Sequence, residues 1–155
     1  MNGAPDLRPA RAHEAARLTA IAHAAKAALG YSAELIAAWR EELTIEPELL
    51  QRQTVWVLEC EGAVQGFFSL HAAGRGANLA HLWVDPPAQR RGFGGMLLRT
   101  AMQLASVSRL SWLVVDAEPS AQAFYERHGL CKVGEIDAPI PGAPGRVRPQ
   151  MRVDF

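Results

Sequence analysis

The spacing of apolar residues predicts helices in the first third of the chain. A short extended stretch, DLRPA, precedes an alanine-rich segment with recurrent apolar positions, and this segment predicts a helix from His13 to Leu29 that stops at Gly30. Ser32 is a suitable N-cap for a second helix that runs to about Leu43. The chain therefore begins with one short strand and two helices.

The period then changes to that of β-strands. TVWVLEC and VQGFFSL are apolar, rich in β-branched and aromatic residues, and separated by EGA, which is a hairpin signal. ANLAHLWV predicts a third strand of the same kind. Next comes a helix from about Gly94 to Ala105, with a buried stripe that we expect to consist of Leu97, Leu98, Ala101, Met102 and Ala105.

The last third alternates between the two periods. LSWLVVDA predicts a strand, and PSAQAFYERHGL predicts a helix that ends at Gly129. CKVGEI suits another strand, residues 137–149 form a loop rich in proline and glycine, and QMRVDF closes the chain as a strand. The resulting order, β-α-α-β-β-β-α-β-α-β-β, predicts an α/β (α+β) fold whose mixed central sheet has helices on both faces.

Composition limits the classes of function. The 155 residues suit one domain, which we assign to residues 1–155. The 16 basic and 16 acidic residues give a formal net charge of zero, so we expect no nucleic-acid or membrane partner. The N-terminus has no apolar segment of signal-peptide length. Cys60 and Cys131 lack metal-binding spacing, so we expect packing residues, no metal site and a reduced, cytoplasmic setting.

The stretch QRRGFGG, residues 89–95, is the part of the chain most suited to binding a ligand, and we call it the glycine loop. The first amides of a helix have no internal acceptor and carry the positive end of the helix dipole. Glycines let the main chain approach a ligand closely. Two arginines add charge, so the loop predicts a site for a phosphorylated ligand. The alternative, a plain turn into the helix, is disfavoured because arginines beside glycines are poor packing material.

Two nucleotide-binding motifs fail on spacing. The dinucleotide fingerprint would need a glycine three residues after Gly94, where Leu97 stands, and no G-K-[ST] triplet of a P-loop occurs. The spacing that fits is Q-x-x-G-x-G, formed by Gln89, Gly92 and Gly94 between a strand ending in LWVDP and an amphipathic helix. A nucleotide-phosphate enzyme is therefore the least favoured class.

This arrangement resembles the [QR]-x-x-G-x-[GA] signature of the GCN5-related N-acetyltransferase (GNAT) family, in particular its small bacterial single-domain members. AFYERHGL is similar to the family's terminal FYEKxGF element, and the resemblance extends from LRPA to MRVDF. It implies the GNAT acyl-CoA N-acyltransferase fold and acetyl-CoA as cofactor, with CoA as product. The step from fold to function is analogy except at matched site residues.

The resemblance assigns roles to positions of this chain. Main-chain amides of the glycine loop would bind the pyrophosphate, and backbone groups of the preceding strand would pair with the pantetheine arm. The implied cofactor-binding residues are Leu82, Val84, Gln89, Arg90, Arg91, Gly92, Phe93, Gly94 and Gly95. Tyr125 matches the family's tyrosine that protonates the departing thiolate, and a phenol with a pKa near ~10 can donate a proton at neutral pH. Alternatively, Phe124 and Tyr125 are both core residues; we favour Tyr125 as the acid, with Phe124 in the core.

The base and the acceptor site are less well specified. Strand alternation puts Asn78 and Ala80 on the expected acceptor side, where neither can act as a base, whereas His81 falls on the other face as a packed, hydrogen-bonded residue. Similar sequences of the family read LEHLWV, with a glutamate at the position of Ala80. A water chain, His71, Glu41 and Glu42 remain alternatives for the base. The substrate-side candidates are Tyr31, Glu41, Glu42, Asn78 and Arg146.

Two functions are thus open. The first is an N-acetyltransferase that transfers acetyl directly from acetyl-CoA to a primary amine of a small molecule, such as an amino acid or derivative, or to a protein N-terminus. The second is a non-catalytic acyl-CoA-binding module that senses the cofactor. The edges of the last strands would allow a homodimer, and the sequence leaves the oligomeric state open.

Overall fold

The computed structural model describes residues 3–155, so Met1 and Asn2, where the predicted domain begins, lie outside the described residues. Seven strands form a mixed sheet. Their bounds are β1 Asp6–Pro9, β2 Thr54–Cys60, β3 Ala63–Ala73, β4 Gly76–Val84, β5 Trp112–Asp116, β6 Cys131–Asp137 and β7 Val147–Asp154. They are hydrogen-bonded in the order β1-β2-β3-β4-β5-β7-β6. β4 and β5 run parallel, whereas β1 and β2, β2 and β3, β5 and β7, and β6 and β7 are antiparallel.

Helices form in each segment in which the apolar period predicted one, and a further short helix, Leu49–Arg52, was not predicted. They are α1 Ala15–Ala27, α2 Ala33–Ala38, α3 Arg40–Leu43, α4 Leu49–Arg52, α5 Phe93–Val107 and α6 Gln122–Arg127. Short 3₁₀ turns precede α1 and α6 and follow β4, at Ala12–Glu14, Pro119–Ala121 and Pro86–Ala88. The mixed sheet predicted from the sequence is confirmed, and so is the order of elements, apart from the additional α4 and the division of the second predicted helix into α2 and α3.

The chain divides into two compact units, each built from two separate segments. The first contains the chain up to Leu70 together with His81–Thr100, and the second contains His71–Ala80 and Ala101–Phe155. The assignment of residues 1–155 to one domain stays a prediction.

The core of the first unit forms where α1 covers β2 and β3. Leu18 and Ile21 of α1 are fully buried with Val57 and Phe67 of the strands. Arg8 of β1 forms two ion pairs in the same unit. It donates to both carboxylate oxygens of Glu14, at 3.0 and 2.7 Å, and to Glu59 at 2.8 Å.

The second predicted helix is broken, which corrects the expectation of one continuous helix to Leu43. Ser32 does act as the N-cap, because its hydroxyl accepts from the Leu35 amide at 3.2 Å. Trp39, with φ −92° and ψ 8°, separates α2 from α3. Its ring packs against the core of the first unit, so tertiary packing interrupts the helix that local propensity favours.

The stripe predicted for α5 is confirmed at four of its five positions. Leu97, Leu98, Ala101 and Ala105 are buried, whereas Met102 is half-buried. The helix begins at Phe93, one residue before the predicted start.

The second unit differs from the sequence predictions in two details. β7 begins at Val147, so the end of the proline-rich stretch belongs to a strand and not to a loop. Pro149 has no N–H to donate, and it lies just beyond the last residue pair of the β5–β7 ladder, Asp116 with Gln150. Its carbonyl accepts from the Ala117 amide at 2.9 Å. Cys131, expected to be a packing residue, is exposed on β6, whereas Cys60 of the first unit is buried. The fully buried side chains of the second unit include those of Leu113, Leu130 and Met151.

Candidate functional site

The glycine loop has the strained backbone expected of a turn that approaches a ligand. Arg90 and Gly92 both have positive φ, at 66° and 81°, and α5 begins directly afterwards at Phe93. The side chain of Gln89 donates to the carbonyl of Val84 at 3.0 Å and so ties the loop to the end of β4. A glycine carries positive φ without steric cost, but an arginine does not, so this shape requires support from its neighbours.

The amides of this loop are available to an anion. Met96 donates to the carbonyl of Gly92 at 3.2 Å, which begins the helical ladder of α5. Within residues 3–155, the main-chain N–H groups of residues 90–95 donate to no carbonyl outside α5. The space above Gly92 is open, since a β-carbon placed there would have no neighbouring atom within 4 Å among the described residues. Unpaired donors at a helix N-terminus are suited to binding an anion.

An ion pair that could not be predicted from the sequence anchors the start of the loop. Arg17 of α1 donates to the Val64 carbonyl at 3.1 and 2.8 Å and to the carboxylate of Asp85 at 2.8 Å. The Asp85 amide in turn donates to the Gln65 carbonyl at 2.8 Å. Arg17 and Asp85 are 68 residues apart in sequence, and their pairing depends on the packing of α1 against the start of β3.

β4, the strand before the glycine loop, extends beyond the residues that pair with the parallel strand β5. The ladder between β4 and β5 consists of Ala77 with Leu113 and Asn78 with Val114. Leu82 and Val84 lie further along β4, beyond the last residue pair of this ladder. The carbonyl of Val84 accepts from Gln89, so the remaining groups of this stretch are the ones that could pair with an extended ligand.

His81 is packed and hydrogen-bonded, as its position on the strand predicted. Its Nδ1 accepts from the indole Nε1 of Trp83 at 3.1 Å, and its ring lies 6.0 Å from that of Phe67. Burial lowers the pKa of His81 to about 4, so the imidazole is neutral at physiological pH. Because the Trp83 indole donates to Nδ1, the proton of the neutral ring is on Nε2 and Nδ1 is engaged.

Tyr125 on α6 is the more buried member of the aromatic pair, which reverses the expectation that Phe124 would be the core residue. The Tyr125 side chain is 5 % exposed, and its ring meets that of Phe124 edge to face at 5.1 Å. Its hydroxyl makes no hydrogen bond to any of residues 3–155. Burial raises the pKa of the phenol well above its usual value; the charge of Arg148 partly offsets this, and Glu118 adds to it.

The candidates near α2 and α3 have different surroundings. Tyr31 packs edge to face on Trp39 at 4.9 Å, and both rings face the ammonium of Lys26, at 5.0 and 4.3 Å. Lys26 is 7 % exposed and both rings are half-buried, so this cation–π cluster packs against the core of the first unit at its margin. Glu41 and Glu42 are exposed on α3.

Arg146, a substrate-side candidate in the second unit, is already bound to other groups of the protein. The Arg146 guanidinium pairs with Glu118 at 3.5 Å, both side chains being 10 % exposed, and donates to the carbonyl of Ala138 at 3.0 Å. These contacts order the connection between β6 and β7. The pairing of Arg146 with Glu118 could not be predicted from the sequence. Asn78 is half-buried on β4.

Two further classes of site have no candidate among the described residues. Within residues 3–155, no group of three or more histidine, cysteine and acidic residues is arranged to hold a metal ion. No helix in the same part of the chain combines the length and apolarity required to cross a bilayer. The glycine loop and the residues that support it are therefore the strongest candidate site among the described residues.

Comparison with known protein families agrees with this geometry. The family model described as the acetyltransferase (GNAT) domain matches residues 51–129, half of the chain, from the end of α4 through the glycine loop to the end of α6. The chain belongs to the GNAT family. The family resemblance predicted from the sequence is confirmed.

Solved GNAT structures share the whole architecture. The paiA N-acetyltransferase of Thermoplasma acidophilum, crystallised with coenzyme A, superposes with a TM-score of 0.82 over 99 % of this chain and 100 % of its own, at 18 % identity. A GCN5-related N-acetyltransferase of Rhodopseudomonas palustris gives a TM-score of 0.81 at 25 % identity, covering 100 % of this chain and 98 % of its own. The predicted GNAT fold is thereby confirmed.

A curated relative shares part of its sequence with this GNAT chain. The mycothiol acetyltransferase of Mycolicibacterium vanbaalenii is 37 % identical over 91 residues, which cover 57 % of this chain and 30 % of the relative. The aligned part thus spans about a third of the relative's length. This similarity supports a family relationship and leaves the acceptor of this chain to be proposed.

Proposed function

We propose that this GNAT chain is an acetyl-CoA-dependent N-acetyltransferase that transfers acetyl directly to a primary amine of a small molecule, with a protein N-terminus as the other class of acceptor. The observation that carries the proposal is the row of main-chain amides at residues 90–95, which donate to no carbonyl outside α5 within residues 3–155 and lie at the N-terminus of that helix, with open space beside Gly92. The relative from Thermoplasma acidophilum, which binds coenzyme A, supports the choice of cofactor.

The residues of the loop fit the phosphates of such a cofactor. Main-chain amides of Arg91, Gly92, Gly94 and Gly95 would donate to the diphosphate, and the Arg90 side chain would add positive charge. Gln89 and Phe93 act as supports, since Gln89 ties the loop to β4 and Phe93 is buried at the start of α5. When bound, acetyl-CoA supplies an activated acetyl thioester.

Two backbone positions of β4 would orient the acyl arm. Leu82 and Val84 lie beyond the parallel ladder with β5, so an extended pantetheine arm could pair with the backbone of Leu82 and the amide of Val84, whose carbonyl already accepts from Gln89. We assign the Leu82 amide to the carbonyl oxygen that gains negative charge during transfer, because a fixed backbone donor requires no reorganisation. Direct transfer needs no enzyme nucleophile, so neither cysteine takes part.

Tyr125 is the proposed proton donor to the departing thiolate. A phenol is protonated throughout the neutral range even at its ordinary pKa of ~10; burial raises the pKa of Tyr125 further, which makes it a weaker acid. The hydroxyl makes no hydrogen bond within residues 3–155, so its proton is not committed to a protein acceptor. This uncommitted proton is the observation that supports Tyr125 as the general acid.

The amine must be neutral before it attacks, and β4 supplies no side chain suited to take its proton. Asn78 and Ala80 cannot act as bases, and the Nδ1 of His81 is occupied by Trp83. The exposed carboxylates of Glu41 and Glu42, His71, and a chain of water molecules therefore remain the candidates for accepting the proton.

The acceptor is proposed to be a small cationic amine. The similarity to a mycothiol acetyltransferase supports a small molecule. Glu41 and Glu42 are exposed and would attract an ammonium group. Arg146, a substrate-side candidate, is poorly placed to bind an acceptor carboxylate, because it already pairs with the carboxylate of Glu118.

A second candidate function is a sensor that binds acyl-CoA without turnover. The observation that favours it is the deep burial of Tyr125, combined with the lack of a base on β4. A thiol-release assay separates the two. Wild-type protein is incubated with acetyl-CoA and a panel of small amines, amino acids and peptides, and free CoA is measured. An enzyme releases CoA in an amine-dependent manner; thermal stabilisation by CoA with no release on any amine would favour the sensor.

A further inference from the structure

The two arginines of the glycine loop are adjacent in sequence but have different surroundings. The Arg91 guanidinium is tied into the first unit: Nη2 lies 3.3 Å from Glu61 Oε1 and 3.7 Å from the Sγ of buried Cys60, and the group stacks 4.7 Å from the ring centre of Phe93. The Arg90 side chain is exposed and makes no hydrogen bond or ion pair with residues 3–155.

The backbone shows why such a tie is useful. Arg91 stands between two residues in the left-handed region, Arg90 at φ 66° and Gly92 at φ 81°. The left-handed conformation is disfavoured for an arginine, so the loop holds this shape only if anchors on either side oppose relaxation. One anchor is the bond from Gln89 to the carbonyl of Val84, and the other is the contact of Arg91 with Glu61.

We propose that the adjacent arginines have separate roles in cofactor binding: Arg91 is a brace that holds the loop in shape through Glu61, and Arg90 is the cation that contacts the phosphates. This inference rests on the proposed function. Glu61 is thereby a positioning residue for the cofactor site, although it lies in the turn between β2 and β3 and would touch no ligand.

Charge explains why Arg91 cannot both pair with Glu61 and bind a phosphate. Glu61 neutralises the Arg91 guanidinium, so the pair presents little net charge to a phosphate. If Arg91 turned towards a phosphate, it would lose Glu61 and the Phe93 ring, and the unpaired carboxylate would remain near an anionic ligand. Arg90 has no such obligation, and its charge is available to a phosphate oxygen.

A charge exchange tests the brace. Dissociation constants for coenzyme A are measured by calorimetry for the wild type, Glu61→Arg, Arg91→Glu and the double variant. Because the pair is partly exposed, we expect single variants to bind up to about fivefold more weakly through loss of the tie, or more where like charges repel. The double variant should return to within about twofold of the wild type. A double variant that binds as weakly as Arg91→Glu would show that Arg91 contacts the phosphates and would overturn the assignment.

A second arm tests Arg90. Arg90→Ala should weaken coenzyme A binding about tenfold or more, as expected for loss of a charge-assisted contact, and the loss should shrink as salt rises. Arg52→Ala, which removes an exposed arginine of α4 in the same unit, serves as the control and should change affinity less than about twofold. An Arg90 variant indistinguishable from this control would overturn the assignment of Arg90.

The stability of the free protein tests the Arg91–Glu61 brace independently of the proposed function. In a double-mutant cycle on urea unfolding of the free protein, Arg91→Ala and Glu61→Ala should be non-additive, whereas Arg90→Ala and Glu61→Ala should be additive. Additivity of the first pair would overturn the brace even if coenzyme A binds. Failure of the wild type to bind coenzyme A would overturn the proposed function and the role of Arg90, while the cycle would still decide the brace.

Discussion

Arg17 of α1 and Asp85 at the end of β4 form an ion pair, with Nη2 2.8 Å from Oδ2. The same guanidinium donates to the carbonyl of Val64, so one side chain joins a helix, the start of β3 and the first residue after β4. The loop proposed to hold the cofactor therefore starts from a fixed point that the α1 helix supplies.

Removing this pair should weaken cofactor binding without removing any group that touches the ligand. We expect Arg17→Met and Asp85→Asn each to raise the dissociation constant of coenzyme A about threefold to fivefold, because a partly exposed ion pair contributes at most about 1 kcal/mol. Calorimetric titration measures the change. If unfolding by urea shows lower stability but the dissociation constant stays unchanged, the pair supports the fold and not the loop.

Glu14 should make the stability of the protein sensitive to acid. The hydrogen bonds from Arg8 are the main reason that the pKa of Glu14 falls to about 2; burial opposes this, and the amide of Arg11 adds to it. Because the pKa is lower in the folded state, the stabilisation is complete above the unfolded value of ~4.3 and is lost as pH falls towards 2.

The matching variant is Glu14→Gln, which we expect to lose about 2 kcal/mol at pH 7 because the partly buried Arg8 loses its main partner. The difference in unfolding free energy between the wild type and this variant, measured in urea from pH 7 to pH 2, should shrink below pH 4.5. A difference that stays constant over that range would show that Glu14 does not titrate in this way.

Tyr125→Phe should lower turnover and spare cofactor binding. Loss of a general acid typically costs a factor of about 100 or more, so we expect kcat to fall at least about tenfold while the dissociation constant of coenzyme A changes less than about twofold. The coenzyme A affinity of the same variant is the internal control, because a disturbed fold would change affinity together with turnover. Turnover equal to that of the wild type would remove Tyr125 from the mechanism.

Gly66→Ala should destabilise the first unit through a backbone clash. A β-carbon at this position of β3 would lie 2.8 Å from the carbonyl oxygen of Trp83 and 3.0 Å from a methyl of Leu97. The strand cannot yield easily, so we expect a loss of about 2 kcal/mol in unfolding free energy. Gly134→Ala on β6, where the nearest atom would be 3.5 Å away, is the matched control. Equal effects of the two substitutions would show that the strands yield at Gly66.

The sequence predicted the elements well because periodicity and glycine signals are local. It predicted the glycine loop for the same reason, since the loop and the N-terminus of α5 are contiguous. It could not predict the break at Trp39 or the start of β7 at Val147, which depend on packing and on pairing with distant strands.

The supporting residues were missed for a related reason. Arg17 lies 68 residues from Asp85, and Arg91 lies 30 residues from Glu61. Each pair forms only after the strands have been placed, and charged residues on a helix face or in a turn resemble any solvated surface. Cys131 was misjudged because its apolar neighbours suggested burial, whereas β6 lies at the edge of the sheet.

The most direct measurement is a crystal structure of the wild-type protein with coenzyme A. We predict that diphosphate oxygens lie within about 3.2 Å of the main-chain nitrogens of residues 91–95, with Arg91 still beside Glu61. A structure in which the diphosphate binds elsewhere, and these nitrogens donate to protein oxygens, would contradict the proposed site.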